Sequence, residues 1–206
     1  MFQRMLEASR AVLLHPSVST FEEYEQDDFG AATVYVLVGA VLAAVLGAIA
    51  FAIQGAIQTP LPSSEGIDLN SARGSLVGAI GFNIVGALVG FMIYSLFVYA
   101  LGRAFGGTGT IGQLAYDISL FWAPMAVARA LVDVIAIGPL ALLTGVAALG
   151  LALYNIYLTY LGIQSGMNLP SNKALIIVLI PWVLLMLFIC LLIVGIGVLI
   201  GTSQPQ

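Results

Sequence analysis

The sequence predicts an all-α polytopic membrane protein: a bundle of five transmembrane helices preceded by a short interfacial amphipathic helix. Three observations carry that reading. Of the 206 residues, 61% are hydrophobic and only 8% charged, with a mean hydropathy of +1.08. A soluble domain carries roughly a quarter charged residues and about half apolar ones, so this chain would leave apolar surface bare in water. Five stretches also supply the roughly 20 mainly apolar residues that a hydrocarbon core of about 30 Å demands. Finally, the six basic residues (Arg4, Arg10, Arg73, Arg103, Arg129 and Lys173) are scattered. They form no stripe that could follow phosphates, which excludes a nucleic-acid partner. The apolar composition likewise excludes a soluble enzyme, and with Cys190 as the single cysteine a secreted disulfide scaffold is excluded too.

Residues 1–29 read as a cytoplasmic segment. Phe2, Met5, Leu6, Ser9, Val12 and Leu13 recur at helical spacing, with Arg4, Glu7 and Arg10 towards the other side. This is an amphipathic helix in the membrane interface, ended by Pro16. Charge alternates through it, so it is not the apolar heart of a cleavable signal. The acidic run Glu22, Glu23, Glu25, Asp27 and Asp28 follows. Its plain reading is a solvated helix start, where carboxylates favour the positive end of the dipole. A docking surface for a basic partner and a weak divalent-cation site are the alternatives.

Residues 30–201 form the membrane domain, with spans near 30–57, 76–101, 114–137, 139–164 and 175–200. The first, second and fifth contain no charge. Gln58–Arg73, with two prolines and Ser63–Ser64, reads as a flexible external connector. Gly138–Pro139 marks a tight hairpin between the third and fourth spans, since proline starts a helix more readily than it continues one. Residues 202–206 are a short external tail. With the N-terminus inside, Arg4, Arg10, Arg103 and Lys173 are cytoplasmic and only Arg73 is external, so an N-in, C-out orientation follows.

Asp117, Arg129 and Asp133 are the intramembrane candidates, because an ionisable group at membrane depth is costly unless paired or wet. Arg129 and Asp133 lie four apart and can pair on one helix face. A proton or cation path through Asp117 and Arg129 would need polar partners, for which Asn83, Asn155 and Gln164 are the candidates. Pro124 and Pro181 fall inside the third and fifth spans, where each removes a backbone donor and is expected to bend its helix. Gly78, Gly86 and Gly90 form one small-residue row, begun by Gly74 and interrupted by Phe82; Gly39, Ala43 and Gly47 form another. Such rows let helix backbones approach closely, within the bundle or against a partner.

Gly106, Gly107 and Gly109 sit between the second and third spans. No Gly-Lys-Ser/Thr follows them, so a tight turn is expected rather than a phosphate loop. His15 is the only histidine and has no cysteine nearby, so no metal, haem or triad site is expected. No period of 20–50 residues indicates a repeat array. No cofactor and no catalytic residue are expected.

The segment from Arg103 to Gly112 is followed by Leu114-Ala-Tyr-Asp117 and by Trp122-Ala-Pro124. Then come Tyr154-Asn-Ile-Tyr157 and the stretch from Gly162 to Ser171-Asn-Lys-Ala174. In this order, with Leu14-His-Pro16, Phe21 and Asp28-Phe-Gly30 ahead of them, the motifs resemble the prokaryotic branch of the Yip domain family over roughly residues 10–200. These are five-span relatives of the Ypt/Rab-interacting proteins. The resemblance implies a cytoplasmic N-terminus and a prokaryotic plasma membrane. It supplies no reaction.

The function expected is non-enzymatic: binding or organising other membrane proteins, or copies of itself, as an accessory subunit of a larger complex, with membrane lipids as surroundings. A small transporter using the third-span charges and a membrane-shaping protein acting through the N-terminal helix are the competing expectations. Any small-molecule substrate is left undefined.

Overall fold

A computed structural model describes residues 2–58, 69–138 and 140–202, and every regular element among them is helical. The order is α1 (Phe2–Leu14), α2 (Val18–Tyr24), α3 (Phe29–Gln58), α4 (Leu69–Ala104), α5 (Ile111–Val134), α6 (Leu140–Met167) and α7 (Ser171–Thr202). Among the described residues three helices, in α3, α4 and α6, are long and apolar enough to cross a membrane. In α7 the segment Ser171–Pro181 is apolar but shorter than a span, and α5 carries three ionisable residues.

The centre of the molecule is α5. It packs most extensively on α3 and then on α6, and it also meets α1 and α4. Every residue from Leu114 to Phe121 is buried, so this stretch has no lipid-facing side. That placement is why α5 tolerates charge: its neighbours, not lipid, surround it. The helices around it present Leu, Val, Ile, Phe and Met outward, as Phe82, Leu142 and Met186 do, which is the surface that hydrocarbon solvates.

The N-terminal helix docks onto the bundle instead of resting only on an interface. Met5, Ala8, Ser9 and Val12 are buried against it. Ser9 Oγ and Tyr35 Oη are 2.8 Å apart, and the Tyr154 hydroxyl donates to the Leu13 carbonyl at 2.7 Å. The opposite apolar edge, Phe2, Leu6 and Leu14, remains exposed. Beyond Pro16, Ser17 caps α2 by accepting from Thr20 N at 3.0 Å. The acidic run is therefore divided: Glu22 and Glu23 lie exposed on α2, while Glu25, Asp27 and Asp28 belong to its link with α3.

The connector between the first two spans is shorter than expected, because Leu69–Arg73 already forms the start of α4. The rest of it, residues 59–68, and the tail 203–206 lie outside the described residues, as does Pro139 of the expected hairpin. Gly138, beside it, has φ +51°, the left-handed conformation glycine adopts most easily. Helix α5 continues through Pro124, and α7 through Pro181.

Candidate functional site

The start of α5 is built by a capping box. Thr110 Oγ1 accepts from Gln113 N at 3.1 Å, and Thr110 N donates to Gln113 Oε1 at 2.8 Å. The Thr110 hydroxyl also donates to Asp27 Oδ1 at 2.7 Å, which ties the acidic link to this helix end. Glycine at 112 leaves room for the Asp27 carboxylate, which a Cβ there would displace. Asp28 serves a different helix: its Oδ1 accepts from Ala31 N at 2.8 Å and caps α3.

The glycine loop preceding Thr110 is a helix stop. Gly106 has φ +89°, Gly107 N donates to Gly102 O at 2.8 Å, and Gly106 N donates to Arg103 O at 3.0 Å. Those two bonds with a left-handed glycine make a Schellman motif. Thr108 N then donates to Met167 O at 3.0 Å, fastening the loop to the end of α6. A Cβ on Gly109 would overlap the Gly166 backbone. Lys173 Nζ donates to Phe105 O at 2.8 Å and Arg103 Nη1 to Gly107 O at 3.2 Å, so both cations of this corner are engaged by the loop.

Two turns into α5 stands Asp117, with no exposed surface. It is held among Leu114, Phe21, Phe121 and two close-approach glycines of α6. A Cβ on Gly162 would lie 3.8 Å from Asp117 Cβ, and one on Gly166 would lie 2.8 Å from Leu114 Cα and 3.3 Å from Asp117 Oδ2. The buried Ser165 hydroxyl lies beside its carboxylate, but neither carboxylate oxygen accepts a hydrogen bond of good geometry. Glu25 Oε1 is likewise buried without one. The charges facing Asp117 are Glu25 and, more weakly, Glu22. Glu25 itself is held above the ordinary carboxylate range, first by burial and then by the negative charges of Glu22 and Asp27.

Arg129 and Asp133 occupy the opposite end of α5. Arg129 Nε and Asp133 Oδ1 are 3.4 Å apart, and both side chains are about half exposed, at 56% and 50%. In water such a pair contributes about 0.3–0.5 kcal/mol. Gln54 Nε2 reaches the Asp133 carbonyl at 3.2 Å from α3. Arg129 borders two cavities. One of about 690 Å³ lies among α3, α4 and α5, walled by small residues such as Ala40, Ala44 and Gly47, with Asn83 and Asp133 as its other polar lining. The second, of about 320 Å³, lies between α5 and α6 and includes Trp122 and Asn155. Neither contains Asp117, which is twelve residues away, about 18 Å along the helix. The structure thus separates the two sets of charge that the sequence placed on one span.

The small-residue rows also divide. Gly39 is an internal contact, where a Cβ would meet Ala123 Cβ at 2.7 Å and its Cα at 2.8 Å. Ala43 and Gly47 line the larger cavity. Gly78, Gly86 and Gly90 have nothing within 4 Å of a built Cβ, so no described part of the chain covers them. Sequence reasoning did not find Glu25 and Ser165 as companions of Asp117. The available signal was Gly162 and Gly166, four apart on the face that bears Ser165, a small-residue row pointing at whatever lies opposite.

A Yip1 domain model matches residues 10–193. No curated protein and no solved structure matches the chain.

Proposed function

The chain belongs to the Yip1 domain family, and on that premise we propose that it is a five-span, non-enzymatic membrane protein that organises other membrane proteins or copies of itself. The proposed setting is a prokaryotic plasma membrane, with the N-terminus cytoplasmic and the C-terminus external. The observation that carries the reading is the uncovered row Gly78, Gly86 and Gly90 on α4. In lipid no hydrophobic effect drives helices together, so close backbone approach along small residues supplies the association energy. A row that no described part of the chain covers is available for a neighbour. Flanking it, Val85, Val89 and Ile93 are exposed and offer the interdigitating side chains of such a contact.

The test is purification of the tagged protein from its native membrane in nanodiscs, comparing wild type with a Gly86→Leu/Gly90→Leu variant. The expected result is a stoichiometric companion, heterologous or identical, that is lost in the variant while insertion and helix content persist. Retention of that companion at full stoichiometry in the variant would overturn the reading.

A further inference from the structure

Four oxygens in the corner between the α2–α3 link, α5 and α6 are sealed from solvent and make no well-formed hydrogen bond, although the Ser165 hydroxyl lies beside the Asp117 carboxylate: Glu25 Oε1, Asp117 Oδ1, Asp117 Oδ2 and Ser165 Oγ. They come from three separate parts of the chain, so no single local accident of geometry explains them. Buried polar atoms nearly always find a partner, and each exception calls for a cause. The basic side chains of this corner do not provide one, since Lys173 and Arg103 are spent on carbonyls of the glycine loop. The other acids nearby are occupied or turned outward. Asp27 accepts from Thr110, Asp28 caps α3, and Glu22 and Glu23 are exposed.

We infer that Glu25, Asp117 and Ser165 form a binding site for one hard divalent cation, which clamps the acidic α2–α3 link onto α5 and α6. The donor set decides the class of ligand. All four atoms are oxygens, which suits magnesium, calcium or manganese and not a soft metal. Two carboxylates balance a charge of two, whereas a single shared proton would leave one negative charge in a corner whose two cations are already engaged by the glycine loop. No three His, Cys, Asp or Glu side chains stand together as a metal site among the described residues. An ion held by one or two carboxylates and completed by water is the habit of magnesium rather than of calcium, which collects more protein oxygens. The glycines at 162 and 166 fit this role, because they bring α6 against the turn of Asp117 without filling the space around its carboxylate.

Manganese is the probe, as a paramagnetic substitute for magnesium, titrated into the full-length protein in nanodiscs of uncharged lipid and read by electron paramagnetic resonance. One ion per chain is expected, displaced by excess magnesium. Asp117→Asn and Glu25→Gln should each weaken binding about tenfold or more, at least what losing an outer-shell partner costs. Ser165→Ala should weaken it less. A Glu22→Gln/Glu23→Gln variant should bind as wild type does. Hydrogen exchange gives a second readout: magnesium should slow the amides of residues 22–28 in wild type but not in Glu25→Gln. If Asp117→Asn fails to fold, Glu25→Gln decides the matter alone. Three results overturn the inference: no bound manganese in wild type, unchanged binding in Glu25→Gln, or loss of binding in Glu22→Gln/Glu23→Gln alone.

Discussion

Gly39 and Gly47 belong to one row in the sequence, yet replacing each with alanine should shift stability in opposite directions. At Gly39 the new methyl would lie 2.7 Å from Ala123 Cβ and 2.8 Å from its Cα. Carbon atoms prefer 3.5–4.0 Å, so the methyl intrudes by about 0.8 Å. A Cβ cannot rotate out of the way, and Ala123 is backbone and a methyl, so α3 and α5 must part. Overpacking of this kind costs about 1–3 kcal/mol, with the upper half expected where the obstacle is backbone. Alanine recovers about 1 kcal/mol of helix propensity. The net loss for Gly39→Ala is then about 1–2 kcal/mol. Gly47 has nothing within 4 Å of a built Cβ, so Gly47→Ala keeps only the propensity gain, up to about 1 kcal/mol. The two variants should differ by about 2–3 kcal/mol in reversible unfolding from mixed micelles, followed by circular dichroism. Equal effects of the two substitutions would refute the assignment of Gly39 to the α3–α5 contact.

Three further outcomes follow from the same geometry. Tyr35→Phe and Ser9→Ala each leave one partner of the 2.8 Å pair unsatisfied, at about 1–3 kcal/mol; the double variant should cost clearly less than their sum, measured as a mutant cycle by the same unfolding assay. Thr110→Val removes the cap of α5 together with the tie to Asp27, and a loss of about 1–2 kcal/mol is expected, with faster hydrogen exchange at Gln113. Glu25 is held above the ordinary carboxylate range by burial first and by Glu22 and Asp27 next. In the absence of divalent cations its contribution to stability is therefore full below that range and is lost as pH rises through the elevated value. Glu25→Gln in chelator should flatten this fall, and an unchanged pH profile would count against the buried placement of Glu25.

The membrane class, the helical elements and the tight glycine turn were legible because each rests on a local signal. Long apolar runs announce spans, Gly106 announces a left-handed stop, and Arg129 and Asp133 announce their own pairing by being four apart. What was not legible depends on chain segments distant in sequence. Nothing near Glu25 indicates that it faces Asp117, 92 positions later. By spacing Ser9 belongs to the apolar stripe of α1, whereas Tyr35 on α3 draws it inward. The short helix α2 was hidden for a related reason: its sequence is polar and acidic, and a single buried side chain, Phe21, anchors it. Phe21 meets Phe121 edge-on at 6.2 Å and lies against Gly162, a contact no periodicity could reveal.

The charges of α5 therefore pose two different physical problems. At the Gly138 end, Arg129 and Asp133 are half exposed, satisfy one another, and edge cavities walled by alanine and glycine. Where this end of α5 reaches water, removing either leaves a group that can still be solvated, and the expected effect on stability is small. At the α1 end, Asp117 is sealed by Phe21, Phe121 and the α6 glycines, with a second carboxylate facing it and the Ser165 hydroxyl beside it. There the cost of a bare charge is large, and the fold spends a whole element, α2 with its link, on covering the place where that charge sits. A chain under no demand at this position would carry a leucine, as it does at 114, 120 and 158 nearby, and gain packing by it. Asp117→Leu accordingly separates structure from use: increased resistance to unfolding together with loss of manganese binding is the outcome expected of a carboxylate kept for a ligand rather than for the bundle.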